Sequence, residues 1–406
     1  MKKKLSLAMK IVIALVLGII VGLIFYFAGN PEFTAKYLKP FGTIFINLLK
    51  LIVVPIVVLS MIDGIVSMRD IKKVGSVGWK TVLYFLVTTA IACIIGLVVA
   101  NIFKGAGLFP TLSLEEGVKW EGSTSSNFMD TLVGIFPSNI WASFSSATML
   151  QVIVIALLIG GGILAAGEEG KIFSSWISSA YAVFQKITNF VISLSPIGVF
   201  AMMAWVVATQ GAAIIGSLAL VILCAYVGYI IHAILAYSLS AKAFAKISPL
   251  EFFKKASAAM IFAFTSASSV ATLPVSKEAA SELGADDDIA AFVLPLGATI
   301  NMDGTAVYQC VATVFLASCC GVELTIGQMA IVVITATIAS IGTAGVPGAG
   351  MIMLAMVLQA MGIPVDMIMI IYGVDRIFDM GRTTLNITGD IACSVCVSKW
   401  ENKKKA

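Results

Sequence analysis

The chain has 406 residues, of which 59% are hydrophobic and 12% charged, with a formal net charge of +4. Soluble domains carry about 25% charged residues, so this composition excludes an ordinary globular enzyme and describes a polytopic membrane protein, in keeping with a mean hydropathy of +1.02. The small basic excess does not point to nucleic acid, because the lysines cluster at the ends of apolar segments rather than on one patch.

At the N-terminus, Lys2, Lys3 and Lys4 precede an apolar core that starts at Ile11 and runs to about Ala28. No small-x-small cleavage site follows before Asn30-Pro31, so the stretch reads as a first transmembrane helix rather than a signal peptide. With 9–28, further stretches at 41–66, 80–103, 138–166, 176–207, 213–240, 287–320 and 365–397 give eight predicted spans. Two more apolar stretches, 256–275 and 329–361, are interrupted. The first carries Thr265, Ser266, Ser268, Ser269, Thr272 and Pro274, and the second carries the run from Ser340 to Gly350, rich in Gly and Pro. Such density breaks helices, and freed backbone groups at membrane depth need protein or a wet cavity beside them. Both stretches are therefore predicted to be re-entrant hairpins.

Eight spans place Lys2–Lys4, Lys72, Lys73, Lys242, Lys246 and the tail Lys399–Lys405 on one side. The opposing loop, 104–137, carries Glu115, Glu116, Glu121 and Asp130 against only Lys104 and Lys119. The positive-inside rule then predicts that both termini are cytoplasmic. The seven cysteines show no metal spacing and read as small, reduced core residues. The single histidine, His232, lies in an apolar helix and is expected to be packed or remote from any pore; alone it supports no His-based metal site.

Each predicted hairpin is followed by a helix with paired Asn and Asp: Asn301-Met302-Asp303-Gly304-Thr305 after the first and Asn386-Ile387-Thr388-Gly389-Asp390 after the second. The hairpins enter from opposite sides, so the two units form inverted repeats, and broken helices meeting at mid-membrane mark a secondary transporter's site. Gly304 is expected to let its helix open, so that unwound carbonyls and Asp303 form a hard oxygen cage for sodium. Asp390 with Asn386 and the region of Gly297 offers a second cage, and backbone oxygens of Ser340, Ile341 and Thr343 a third. Thr88 and Thr89 lie mid-span in the third helix, where bonding back to their own helix is the simpler role.

On one helix at about 100° per residue, Asp375, Asp379, Arg382, Asn386 and Asp390 share a stripe about 80° wide. Ionisable groups at membrane depth face a partner or a cavity. Arg382 has the planar fork that suits a carboxylate, and Asp379, one turn earlier, suits an ammonium. Ser269 and the free amides of the hairpin tips suit an α-carboxylate. Together these describe a site for an amino acid whose own side chain is acidic.

The segments NMDGTAVYQ (301–309), ASIGTAGVPGAG (339–350), DMGRTTLNITGD (379–390) and, more weakly, TSASSVATLP (265–274) carry a resemblance to the dicarboxylate/amino acid:cation symporters, the glutamate transporter family, over essentially the whole length. The resemblance implies an all-α membrane protein of eight transmembrane helices and two re-entrant hairpins, assembled as a homotrimer with an elevator mechanism. It divides the chain into scaffold helices at 1–80, a third helix and outer loop at 81–137, further scaffold at 138–250, a transport core at 251–398 and a basic cytoplasmic tail at 399–406. It implies that Asp379 binds the substrate ammonium and that Arg382, assisted by Thr305, binds the side-chain carboxylate. Ser268, Ser269, Thr383 and Asn386 would hold the α-carboxylate, with Val346 and Gly350 in the closing hairpin. Sodium, as co-transported cargo, would use Gly297, Asn301, Asn386 and Asp390; Thr299, Met302, Ser340, Ile341 and Thr343; and Asp303, Asn301, Thr88 and Thr89.

Two departures stand out. Relatives often carry a further arginine just before the first hairpin's serines or just after the position of Asp379, where this chain has Ala267 and Met380; Arg376 lies nearby and leaves open whether it substitutes. Where relatives have a tyrosine three residues before Thr88, this chain has Phe85, with Tyr84 ahead of it, which weakens the third sodium site. The expected activity is sodium-coupled import of L-aspartate or L-glutamate across the plasma or inner membrane. Proton coupling, C4-dicarboxylate transport and neutral amino acid transport stay open within the family. An intramembrane aspartyl protease needs two facing aspartates but calls for neither Arg382 nor the hairpins, a serine protease would need a base and an elbow motif that His232 does not share, and a passive channel needs no coupled site.

Overall fold

The computed structural model describes residues 7–67, 75–111, 133, 136–146, 148–211, 213–342 and 349–405. Among these residues the secondary structure is helical, with no strand. The helices that position the site are α1 (Leu7–Phe27), α2 (Lys39–Ser67), α3 (Ser76–Gly105), α4 (Met149–Ala166), α5 (Lys171–Ser193), α6 (Ser195–Gln210), α7 (Ala213–His232), α8 (Pro249–Ser266), α9 (Ser269–Glu282), α10 (Asp287–Ile300), α11 (Asp303–Cys319), α12 (Ile326–Gly342), α13 (Ala349–Ala360) and α14 (Asp375–Lys405).

By length and composition, four helical runs among the described residues are able to cross a bilayer: Met9–Phe27, Ser76–Gly105, Ile214–Ala245 and Asp287–Cys319. A fifth is the pair Lys171–Val191 and Ser195–Gln210, bent by 47°. The 176–207 stretch, expected as one span, is thus built of two helices. Its break falls where Pro196 takes the first turn of α6, a position that suits proline because the missing N–H has no intrahelical partner there.

α1 packs on α6, and α2 packs on α4, α5 and α6. α3, α7 and α8–α14 form a second set: α11 lies against α3 and α7, while α8, α9 and α10 all lie against α14. Every residue of α11 from Asp303 to Cys319 is buried, which is why an all-round apolar helix here is an internal element. Outer helices are the reverse, with Leu17, Ile24, Ile94, Ile102, Phe190 and Leu223 exposed. Apolar side chains outside and Asp303, Arg382, Asn386 and Asp390 inside is the arrangement that a lipid solvent selects.

Three irregularities set the site. α8 opens with Ser248 accepting from the Glu251 amide at 3.2 Å and Pro249 in its first turn, a proper N-terminal signal. It ends at Ala267, whose φ of 48° is left-handed, and α9 restarts at Ser269 and packs back on α8. Between α10 and α11, Asn301 and Met302 leave helical geometry, with φ/ψ of −82°/98° and −120°/37°. The last helical region breaks at Gly373 and Val374, so Asp375 lies in the first turn of α14. α12 and α13 pack on each other; Thr343 and Val346, between them, lie outside the described residues, and Ser340 and Ile341 belong to the last turn of α12.

Candidate functional site

The predicted stripe exists: Asp375, Asp379, Arg382, Asn386 and Asp390 all belong to α14. Arg382, Asn386 and Asp390 are buried, and Asp375 and Asp379 are half-buried. Its charged end is organised around Arg382, which is 2% exposed. Arg382 Nη2 donates to Asp379 Oδ1 at 2.9 Å and lies 3.5 Å from Asp375 Oδ1. The guanidinium carbon stands 4.7 Å from the Tyr308 ring centroid, a cation–π contact that favours arginine over lysine. Nη1 has no hydrogen-bond partner among the described residues. The sequence treats Asp379 and Arg382 as separate receptors for a ligand's two charges; in the structure they are bonded to one another. Spacing of three on a helix brings opposite charges into contact, and neither charge is left uncompensated at low dielectric.

Arg376 is part of the same cluster. Its Nη1 donates to Asp379 Oδ2 at 3.1 Å and its Nη2 to the Ser266 carbonyl at 3.2 Å. Ser266 is the last residue of α8, so the first hairpin's turn is tied to the stripe. Ser268 and Ser269 flank that turn, half-buried.

The middle of the site is a junction between α11 and α14. The Gly304 amide donates to Asn386 Oδ1 at 2.7 Å. A Cβ on Gly304 would stand 2.5 Å from the Arg382 carbonyl oxygen, so only glycine lets the two backbones meet. Gly304 was expected to open the helix; it is instead helical, and the opening falls at Asn301 and Met302. Its role is close approach. Thr305 is buried with its hydroxyl 3.8 Å from Met302 Sδ, and Asn386 Nδ2 lies 3.5 Å from the same sulfur. Thr383 is buried on the adjacent turn.

Below this junction lies a carboxamide–carboxylate cluster. Asn301 Nδ2 donates to Asp390 Oδ1 at 2.9 Å and to the Asn386 carbonyl at 2.8 Å. Gly297 leaves the room that the Asp390 carboxylate fills. Asn301 Oδ1 is buried and has no donor among the described residues, an acceptor that a bare cation would satisfy. Thr299 points away: it is exposed and bonds back to the Leu296 carbonyl at 2.8 Å.

Asp303 forms a separate cluster. Thr89 donates to its Oδ1 at 2.5 Å, the Tyr237 hydroxyl donates to its Oδ2 at 2.7 Å, and His232 Nε2 lies 3.1 Å from Oδ2. Thr88 does bond back to its own helix, to the Phe85 carbonyl at 3.2 Å. His232, expected to be packed or remote, is therefore a partner of Asp303, because α7 packs against α11. Tyr237 reaches the carboxylate from a π-helical continuation of α7, Ala233–Ser238, the kind of wide turn that recurs at functional sites. Among the described residues no three His, Cys, Asp or Glu side chains converge as a metal cluster; the candidate cation oxygens come from carboxamides, hydroxyls and backbone as well.

A buried guanidinium with carboxylates on one helix, beside helix breaks in a largely apolar bundle, is the arrangement that a membrane transporter of small molecules requires. The model of the sodium:dicarboxylate symporter family matches residues 7–400. The chain belongs to that family; it is a multi-pass membrane transporter and a cation-coupled symporter. It is similar to the proton/sodium-glutamate symport protein of Bacillus caldotenax, 36% identical over 99% of this chain and 96% of that one. It is 35% identical to the proton/glutamate-aspartate symporter of Escherichia coli (strain K12), over 98% of this chain and 94% of the relative. It is 34% identical to a C4-dicarboxylate transport protein of Bacillus subtilis (strain 168), again over 98% and 94%.

Proposed function

We propose that this chain imports L-aspartate or L-glutamate together with sodium ions. The observation that carries the reading is the Arg382–Asp379 pair, 2.9 Å apart, with the guanidinium buried beside the Tyr308 ring. It presents one cation and one anion, and an acidic amino acid offers the complementary set. Its ammonium would take Asp379, and its side-chain carboxylate would take Arg382 through the partnerless Nη1 and beside Thr305. Its α-carboxylate would meet Asn386, Thr383, Ser268 and Ser269. Asp379 argues against a plain dicarboxylate, which has no ammonium for it, and Arg382 argues against a neutral substrate, which would leave the guanidinium unanswered.

Sodium fits best beside Asp390, where Asn301 Oδ1 lacks a donor and hard oxygens converge. Asp303, already accepting from Thr89 and Tyr237 with His232 Nε2 at 3.1 Å, would have to release some of these partners to take a cation. The Gly304–Asn386 bond joins both regions to the substrate end, so cation binding there would brace the amino acid site. The transport core at 251–398, built from α8–α14, would move as one unit against the scaffold of a homotrimer, with both termini cytoplasmic in the plasma or inner membrane. A second reading, proton-driven uptake, is favoured by the name of the Escherichia coli relative, a proton/glutamate-aspartate symporter.

Proteoliposome uptake of labelled aspartate tests the reading. An inward sodium gradient is expected to drive accumulation. Accumulation that ignores sodium and follows a proton gradient would replace the coupling ion.

A further inference from the structure

Asp379 is shared between two guanidiniums of unequal standing. Arg382, three residues later, takes Oδ1 with its side chain 3% exposed; Arg376, three residues earlier, takes Oδ2 with its side chain 23% exposed. Arg376 is also held from the other side. Its second nitrogen donates to the carbonyl of Ser266, the final residue of α8. A helix C-terminus leaves such carbonyls without intrahelical partners and carries partial negative charge. The left-handed Ala267 turns the chain immediately afterwards. Arg376 is thus fixed between a carboxylate and a helix end rather than spread into solvent.

The charge count of the cluster follows from this placement. Asp375 and Asp379 contribute two negative charges, and Arg376 and Arg382 two positive ones. With Arg376 present the cluster is neutral; without it, Asp379 faces the ligand under one guanidinium instead of two, and the cluster carries one net negative charge. An incoming ammonium must approach the carboxylate that Arg376 already answers. A dicarboxylate without an ammonium places no like charge beside Arg376 and escapes that repulsion.

We infer that Arg376 is a specificity-determining residue that acts through Asp379, lowering the affinity for ligands with an ammonium relative to ligands with two carboxylates and none. The inference rests on the reading of Asp379 as ammonium receptor. It bears on the choice between amino acids and C4-dicarboxylates, both of which appear in the names of the relatives. Arg376 is a positioning residue here: it sets the charge and orientation of Asp379 and ties both to the first hairpin's turn.

The test is equilibrium binding of L-aspartate and of succinate to purified full-length protein at one fixed, high sodium concentration. Arg376→Gln and Arg376→Leu both remove the charge, and Arg376→Lys keeps it. Both neutral variants are expected to shift the aspartate-to-succinate affinity ratio about tenfold toward aspartate, the effect of a like charge removed from a partly exposed site. Arg376→Lys is expected to return the ratio to within about twofold of wild type, since it restores the charge. A merely structural role would move both ligands by one factor, and that result would overturn the inference. A lysine variant that follows the neutral ones would do the same. Wild-type protein that binds succinate but neither aspartate nor glutamate would overturn the functional reading instead, and this shows before any variant is made.

Discussion

The guanidinium of Arg382 occupies the space that a side chain at position 350 would need: a Cβ on Gly350 would overlap Nη1 and stand 3.0 Å from Nη2. Gly350 lies in the first turn of α13, so the second arm of the second interrupted stretch sits directly on the residue proposed to read the substrate's side chain. Gly350→Ala is therefore expected to push Arg382 off Asp379 and Tyr308. Aspartate uptake should fall by more than about tenfold, the loss of one good charge-assisted contact, while the protein still elutes as a folded species. Wild-type uptake by this variant would separate α13 from the substrate site.

Arg382→Cys removes the cation and leaves Asp375 and Asp379 with Arg376 alone. Binding of aspartate and glutamate is expected to drop by at least about a hundredfold, because the remaining guanidinium, Arg376, is already held by Asp379 and the Ser266 carbonyl. A small neutral amino acid such as serine is expected to gain transport, since its ammonium still finds Asp379 and nothing is left unanswered. Competition between labelled aspartate and unlabelled serine measures both at once. Unchanged aspartate affinity would remove Arg382 from its role.

These two predictions use residues that stand out in the sequence, and the reason is physical. Asp379, Arg382, Asn386 and Asp390 interrupt an apolar run at helical spacing, and a local period is enough to place them on one face. Asn301 and Asp303 are legible in the same way. The pairing of Asp379 with Arg382 follows from their spacing of three, a spacing equally compatible with two separate receptors for a ligand's charges. His232 and Tyr237 were not legible as site residues, since their partner Asp303 lies 71 and 66 positions away. On an apolar helix, an aromatic ring reads as packing until tertiary contacts show where it points. Tyr308 was hidden likewise; only its place beneath Arg382 distinguishes it from any core aromatic. The bend between α5 and α6 had a signal in Ser195-Pro196, but an unbroken hydropathy run conceals a change of direction.

Tyr237→Phe tests whether the donors around Asp303 contribute to stability. The change removes one hydroxyl that donates to Oδ2 at 2.7 Å and keeps the ring. Hydrogen bonds between membrane helices contribute about 0.6 kcal/mol on average and seldom more than about 1.7, while a buried carboxylate losing a donor sits at the upper end. A small fall in the melting temperature in detergent is expected for Tyr237→Phe. A larger fall is expected for His232→Ala, which also leaves a cavity where a fully buried ring stood. If Tyr237→Phe melts no lower than wild type, the hydroxyl carries no stability and Thr89 with His232 suffices.

Asp390→Asn separates charge from hydrogen bonding in the proposed sodium site. The carboxamide oxygen still accepts from Asn301 Nδ2, which lies 2.9 Å from Asp390 Oδ1 in the native chain, and the shape beside Gly297 is kept. What is lost is the negative charge that offsets a cation's lost hydration. The sodium concentration for half-maximal aspartate binding is expected to rise by about tenfold or more, equivalent to about 1.4 kcal/mol. Aspartate affinity at saturating sodium should stay within about threefold of wild type, because the Gly304–Asn386 link to the substrate end is untouched. Titrating sodium at several fixed aspartate concentrations resolves the two quantities. A wild-type sodium curve would show that the ion is held elsewhere, and Asp303 would become the residue to neutralise next.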